Sequence, residues 1–152
     1  MKLSSKRVNY GILVALDLAL QPAAVPVQAK TIAIRQGIPT RFLEHVLNAM
    51  RRAGLVESQR GAHGGYVLTK SPAEVSLAQI VEALDGPLMV PRSSSARGGA
   101  GLRRGAVQQV LLNGMWARLF QAQQELMNRL TLRDLVEDYQ ALHQQASPMY
   151  HI

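Results

Sequence analysis

Residues 28–54 read QAKTIAIRQGIPTRFLEHVLNAMRRAG, and residues 55–69 continue LVESQRGAHGGYVLT. The first stretch predicts two helices and the second two strands. A short helix runs from about residue 28 to 36, with Ile32 and Ala33 inward, and Gly37 stands where a helix C-cap favours glycine. Pro39 opens the next helix, where its missing N–H costs nothing, and Thr40 follows it. That helix extends to Ala53 on an inward stripe of Phe42, Leu43, Val46, Leu47 and Met50, with Gly54 closing it. At Leu55 the period changes. Residues 55–59 and 66–69 read as short strands around Arg60-Gly61-Ala62-His63-Gly64-Gly65, rich in the glycine a tight hairpin needs. A short helix, a tight turn and a second helix form a helix-turn-helix, and a slim hairpin beside it would be a wing.

Further helices flank this unit. Residues 5–21 place Val8, Ile12, Leu16 and Ala19 or Leu20 at helical spacing, with Ser4 or Ser5 as cap. Pro22 and Pro26 punctuate the loop that follows. Ser76 caps a helix over 77–84, stopped by Asp85-Gly86-Pro87. Residues 87–105 break in composition: glycine, serine and arginine with no acid, the signature of a loop or linker. A long helix then carries Val107, Leu111, Met115, Leu119, Ala122, Leu126 and Leu130 at steps of three and four, widened by Leu112, Trp116, Phe120 and Met127. Thr131 caps a last helix to about residue 145, with Leu135, Tyr139 and Leu142 expected inward. The fold class is mainly α with a small β-hairpin.

The chain has 152 residues, 47% of them apolar, enough for one core. No apolar run suits a membrane span, and residues 8–20 carry Asp17 without a cleavage site, so neither a transmembrane helix nor a signal peptide is expected. There is no cysteine, which removes disulfides, thiolate metal sites and cysteine nucleophiles. The cytoplasm is the default compartment. The net charge of +7 is uneven: residues 1–70 hold ten basic residues against three acids, whereas residues 71–152 balance at seven each. A positive field confined to one half favours a polyanionic partner, although a basic balance can also serve solubility alone.

The second helix of a helix-turn-helix fits the major groove. Here it exposes Thr40, Arg41, Glu44, His45 and Asn48 early and Arg51 and Arg52 late. Arginine can read guanine edges, and Glu44 can accept from a cytosine amino group. In the hairpin, Arg60 and His63 lie among glycines that permit close approach to the minor groove and phosphates. The competing readings are a plain three-helix bundle with a charged solvent face and a hairpin whose glycines only make the turn. Other chemistry finds no footing. His45, His63, His143 and His151 lack metal-like spacing. Glu44–His45 and Glu137–Asp138 point different ways around their helices. No Gly-Lys-Ser/Thr follows Gly61 to Gly65, so this is no phosphate loop. An enzyme is not expected.

Residues 1–6 (MKLSSK), 32–38 (IAIRQGI), 42–44 (FLE), 52–56 (RAGLV), 60–66 (RGAHGGY), 76–86 and 130–135 (LTLRDL) together resemble the Rrf2 family of bacterial winged-helix transcription regulators. The likeness spans nearly the whole chain and is loosest over 87–105. It implies a homodimer in which the long helix crosses its mate, with residues matching Arg41, Glu44 and His45 facing base edges. It places Arg60 in the wing, and Lys2, Lys6 and Arg7 near the DNA backbone. His45 falls where glutamine is common. Many members hold an iron–sulfur cluster through three cysteines before the long helix. Residues 87–105 offer neither cysteine nor histidine, so no cofactor is expected and a signal would act through a small molecule, a partner protein or modification. The expectation is a DNA-binding unit over 1–86, a loop over 87–105 and a dimerisation region over 106–152. Together they would form a homodimeric repressor on a near-palindromic operator, with no membrane role. The rival expectation is a winged-helix module for protein–protein docking.

Overall fold

Ser5 lies in extended backbone, and its hydroxyl accepts from the Val8 amide, which starts α1 (Lys6–Ala19). The computed structural model describes residues 5–88 and 104–147. α2 (Ala29–Gln36) ends at Gly37, whose φ of 62° is the left-handed cap that the sequence predicts. α3 (Thr40–Arg52) follows with Pro39 as its N-cap. β1 (Val56–Gln59) and β2 (Gly65–Leu68) pair antiparallel, Val56 opposite Leu68 and Gln59 opposite Gly65. A 3-10 turn (Pro72–Glu74) leads to α4 (Leu77–Asp85), which opens on a reciprocal cap between Ser76 and Gln79. α5 (Arg104–Arg129) and α6 (Leu132–Ala146) complete the described chain.

The core gathers one face of every element. Val14, Ala15, Ile32, Leu43, Val46, Leu47, Met50, Val56, Ile80 and Leu132 are buried in it. Asp17 is buried among them, 4% exposed. Its carboxylate accepts from Arg35 Nη2 at 2.8 Å and Gln36 Nε2 at 3.0 Å. This clasp ties the end of α1 to the end of α2. A second tie joins the α1–α2 loop to the hairpin: Val27 N–H donates to the Tyr66 carbonyl at 3.0 Å, and Tyr66 N–H donates to the Val27 carbonyl at 2.8 Å. Gly65 permits it, because its φ is 152° and a Cβ there would run into the Val27 backbone.

The elbow between α5 and α6 is fastened to the start of α4. Leu77 N–H donates to the Leu130 carbonyl and Leu132 N–H to the Val75 carbonyl, each at 2.8 Å. Phe120 and Met127 are the buried side chains of α5, and Gln124 Nε2 donates to the Leu88 carbonyl at 3.1 Å.

Several expectations need correction. On α1 the buried residues are Val8, Gly11, Val14, Ala15, Asp17 and Leu18, while Ile12 and Leu16 are only partly covered. α1 packs against α2, α3, α4 and α6, so a single stripe does not describe it. Tyr139 and Leu142 on α6 are exposed, Leu142 by 66%, because nothing in the described chain lies over that side. Arg104 and Gly105 open α5 rather than closing a loop. The 3-10 turn was not expected. Lys2, His151 and residues 89–103 of the expected loop lie outside the described residues.

Candidate nucleic-acid interface

The rotation of α3 is set by what it buries. Leu43, Val46, Leu47 and Met50 are fully enclosed, and positions three and four apart share a face. Thr40, Arg41, Glu44, His45, Asn48, Arg51 and Arg52 must then point outward, and all are exposed. Within that face, a turn of about 100° per residue separates two flanks. Arg41 and Asn48 lie near the centre. Thr40, Glu44 and Arg51 fall to one side, His45 and Arg52 to the other. The aromatic edge contact of Tyr10 with Phe42, centroids 5.1 Å apart and planes at 80°, places α1 on the His45 side.

Lys6 is exposed at the start of α1 and Arg7 is half-buried one residue later. Ser5 Oγ donates to Asp85 Oδ2 at 2.8 Å, which anchors this end of α1 to α4. Arg7, His45, Asn48, Arg51 and Arg52 line one shallow cavity of about 340 Å³. Of the expected site residues, the structure thus brings Arg7 and His45 together. Thr40, Arg41 and Glu44 stand on the leading half of α3. Arg60 and His63 are exposed separately on the hairpin. The turn there is thin because of its glycines: Gly64 N–H donates to the Gly61 carbonyl at 3.0 Å, and a Cβ on Gly64 would strike the Gln59 carbonyl.

A basic, outward recognition helix with a thin basic wing beside it is the architecture of a DNA reader. The Rrf2 family, described as iron-dependent transcriptional regulators, matches residues 4–138. The chain belongs to the Rrf2 family. IscR of Escherichia coli, an HTH-type transcriptional regulator, is 32% identical over 142 residues, covering 93% of this chain and 84% of that one. A Synechocystis chain provisionally named an HTH-type transcriptional regulator is 48% identical over 88 residues, 58% of this chain and 59% of that one. Among solved structures, CymR, the global cysteine regulator of B. subtilis, superposes with a TM-score of 0.75 at 29% identity, covering 90% of this chain and 98% of that one. This Rrf2 member is accordingly a winged helix-turn-helix, DNA-binding transcription regulator.

The family's iron does not find thiolate ligands here. The sequence holds no cysteine, and among the described residues no group of three histidine, aspartate or glutamate side chains is placed to hold a metal ion. A cysteine-held cluster does not fit this chain. No helix of the described residues is long and apolar enough to cross a membrane.

The Asp17 clasp and the Val27–Tyr66 bridge were missed from sequence. A lone aspartate inside an apolar helix was the available signal for the first. The second is a backbone pairing and leaves no side-chain pattern to read.

Proposed function

We propose that this Rrf2 protein works as a homodimeric repressor, residues 1–86 binding DNA and residues 106–152 joining the two copies. The observation that carries the dimer is the uncovered apolar surface of α5. Val110, Leu111, Met115, Trp116, Leu119 and Leu126 are all exposed, Leu111 by 68% and Leu126 by 54%. A soluble monomer rarely leaves so continuous an apolar row uncovered. The 26 residues of α5 span about 39 Å at 1.5 Å per residue, long enough for two copies to cross. A two-fold axis would then set two α3 helices against a near-palindromic operator, with half-sites about 34 Å apart or a multiple of that.

In each protomer α3 enters a major groove. Thr40, Arg41 and Glu44 face base edges, with His45 assigned beside them by the family likeness. Residues 57–68, with Arg60 and His63, lie over the flanking minor groove, and Lys2, Lys6 and Arg7 near the backbone. The protein performs no catalysis and acts in the cytoplasm, where bacterial DNA lies. Its signal is a small-molecule or protein effector. Sedimentation of the full chain tests the dimer. We expect a dimer at micromolar concentration and a monomer with poor DNA affinity after Leu119→Glu with Leu126→Glu. A wild-type monomer would overturn the reading. A protein-docking module, the rival, would show no salt-dependent shift of duplex DNA.

A further inference from the structure

We propose that the cavity between the end of α1 and strand β2 is the effector site of this regulator, and that its ligand is a free amino acid with an apolar side chain. The inference rests on the reading that the protein answers to a small molecule, and deepens it by naming the place and the chemical class. The cavity holds about 400 Å³, a size typical of small-molecule sites. Its lining comes from the end of α1, the loop to α2, β2 and the 3-10 turn, and includes no residue of α3.

That lining combines two opposite charges with an apolar wall. Leu18, Pro22, Val25, Tyr66 and Leu68 supply the wall, and Val25 stands half-exposed. Lys70 and Glu74 line the same space, yet they do not pair. The ion pairs among the described residues are Arg35–Asp17 and Arg133–Glu137. Glu74 Oε2 instead accepts from Ser71 Oγ at 2.9 Å and from Ser71 N–H at 3.1 Å. These two bonds fix the carboxylate and lower its pKa, so it stays charged. α1 also ends at the cavity, through Leu18, Ala19 and Gln21, with no basic residue in its last turn. The negative end of the helix dipole therefore adds to Glu74. An ammonium without a partner, a fixed carboxylate and an apolar wall together match a molecule that carries a carboxylate, an ammonium and an apolar side chain. A plain carboxylic acid would leave Glu74 without a cation, and a plain amine would leave Lys70 without an anion.

Occupancy reaches the wing through the wall of the cavity. Tyr66 lines it, and the Tyr66 backbone pairs with Val27, two residues after Val25 in the α1–α2 loop. Gly65, at the root of the wing, lies against that same Val27 backbone. The loop is also held in an unrelaxed form. Ala24 has a φ of 62°, in the left-handed region that a residue with a Cβ seldom takes. Backbone outliers of this kind cluster where a conformation is put to use. A ligand held by both Val25 and Lys70 spans the loop and the segment after β2, and so fixes where the wing stands. A ligand that favours one wing position shifts the population toward it, and operator DNA then changes the ligand's affinity by the same factor.

The test is a titration of the full-length protein with L-valine, L-leucine, L-methionine and L-phenylalanine, each alone, followed by the amide resonances of Val25, Tyr66 and Lys70. At least one amino acid should shift these amides to saturation. The acid and the amine that each keep half of its headgroup (for leucine, isocaproate and isoamylamine) should bind more weakly, by about fivefold, the upper range for an exposed ion pair. Lys70→Gln and Glu74→Gln should each lower affinity by a similar factor, about fivefold. Lys70→Gln keeps the test alive if Glu74→Gln frays the 3-10 turn. The affinity for an operator selected from random sequence should change when the amino acid is present. No saturable shift at these amides with any of the four would overturn the proposal. So would equally tight binding of the acid or the amine alone, or unchanged affinity in both variants. An amino acid that saturates the site and leaves operator affinity unchanged would overturn the effector role. Failure of the wild type to bind any duplex would overturn the DNA reading instead, and the titration would still decide the site.

Discussion

Among the described residues Asp17 is the one charged side chain buried in the core, and Arg35 and Gln36 hold it from the end of α2. Its effect is positional, since the clasp fixes how α2 leans on α1 and hence how α3 is presented. Arg35→Ala leaves the carboxylate with Gln36 alone. Charged hydrogen bonds lost in this way cost about 1–3 kcal/mol, and the lower half is expected because water reaches Arg35. A urea midpoint lowered by that free energy divided by the slope, with the slope itself unchanged, would check it. Gly65→Ala should act differently: a side chain there meets the Val27 backbone, so the wing should detach from the α1–α2 loop. Faster hydrogen exchange at the Tyr66 amide would report this, and protection equal to wild type would count against the bridge. The missing cysteines give a third outcome. Anaerobic incubation with iron and sulfide should produce no bound chromophore, and a visible band of defined stoichiometry would contradict the cluster-free reading. Such single-residue features divide by legibility. The absence of cysteine is read directly, whereas the partners of Asp17 lie 18 and 19 residues away and depend on how two helices cross.

Among the elements, α3 and the wing share the work unequally. Arg41, near the centre of the outward face, can pair bidentately with a guanine edge, worth about 1–3 kcal/mol of discrimination. Arg41→Ala should therefore relax preference at one base position per half-site. Arg60, on a thin hairpin, suits phosphate or a narrow minor groove. Arg60→Ala should weaken all sequences alike and lower the salt slope by about two in a dimer. Equal losses in both variants on operator and random DNA would remove Arg41 from the base readers. At the start of α6, the Thr131 backbone N–H and then its side chain hydrogen-bond the Asp134 carboxylate and hold its pKa below the ordinary 3.8. A depressed acid stabilises above its unfolded pKa and loses that contribution as pH falls through the lower folded value. The first turn of α6 should fray only in strong acid, and Asp134→Asn should abolish the pH dependence of protection at its amide there, once the intrinsic pH dependence of exchange is divided out. The caps, Gly37 and the α3 stripe were legible because they are local. On α1 the reading failed, since four helices surround it and period alone cannot tell which side is inside.

For the whole molecule, the decisive surface is the uncovered apolar side of α5 and α6. Trp116 is 55% exposed, and Tyr139 and Leu142 lie open. The apolar rows were legible in the sequence, but a single chain cannot show what covers them. The inward positions expected for Tyr139 and Leu142 had no partner element within the described residues. The central claim is that two copies joined through this surface read two half-sites with α3. The most direct measurement is the stoichiometry and footprint of the full-length protein on its selected operator, by sedimentation and hydroxyl-radical cleavage. The account predicts two chains per duplex and two equivalent protected segments, centred about 34 Å apart or a multiple of it. One chain per duplex at saturation, with a single protected segment, would contradict it.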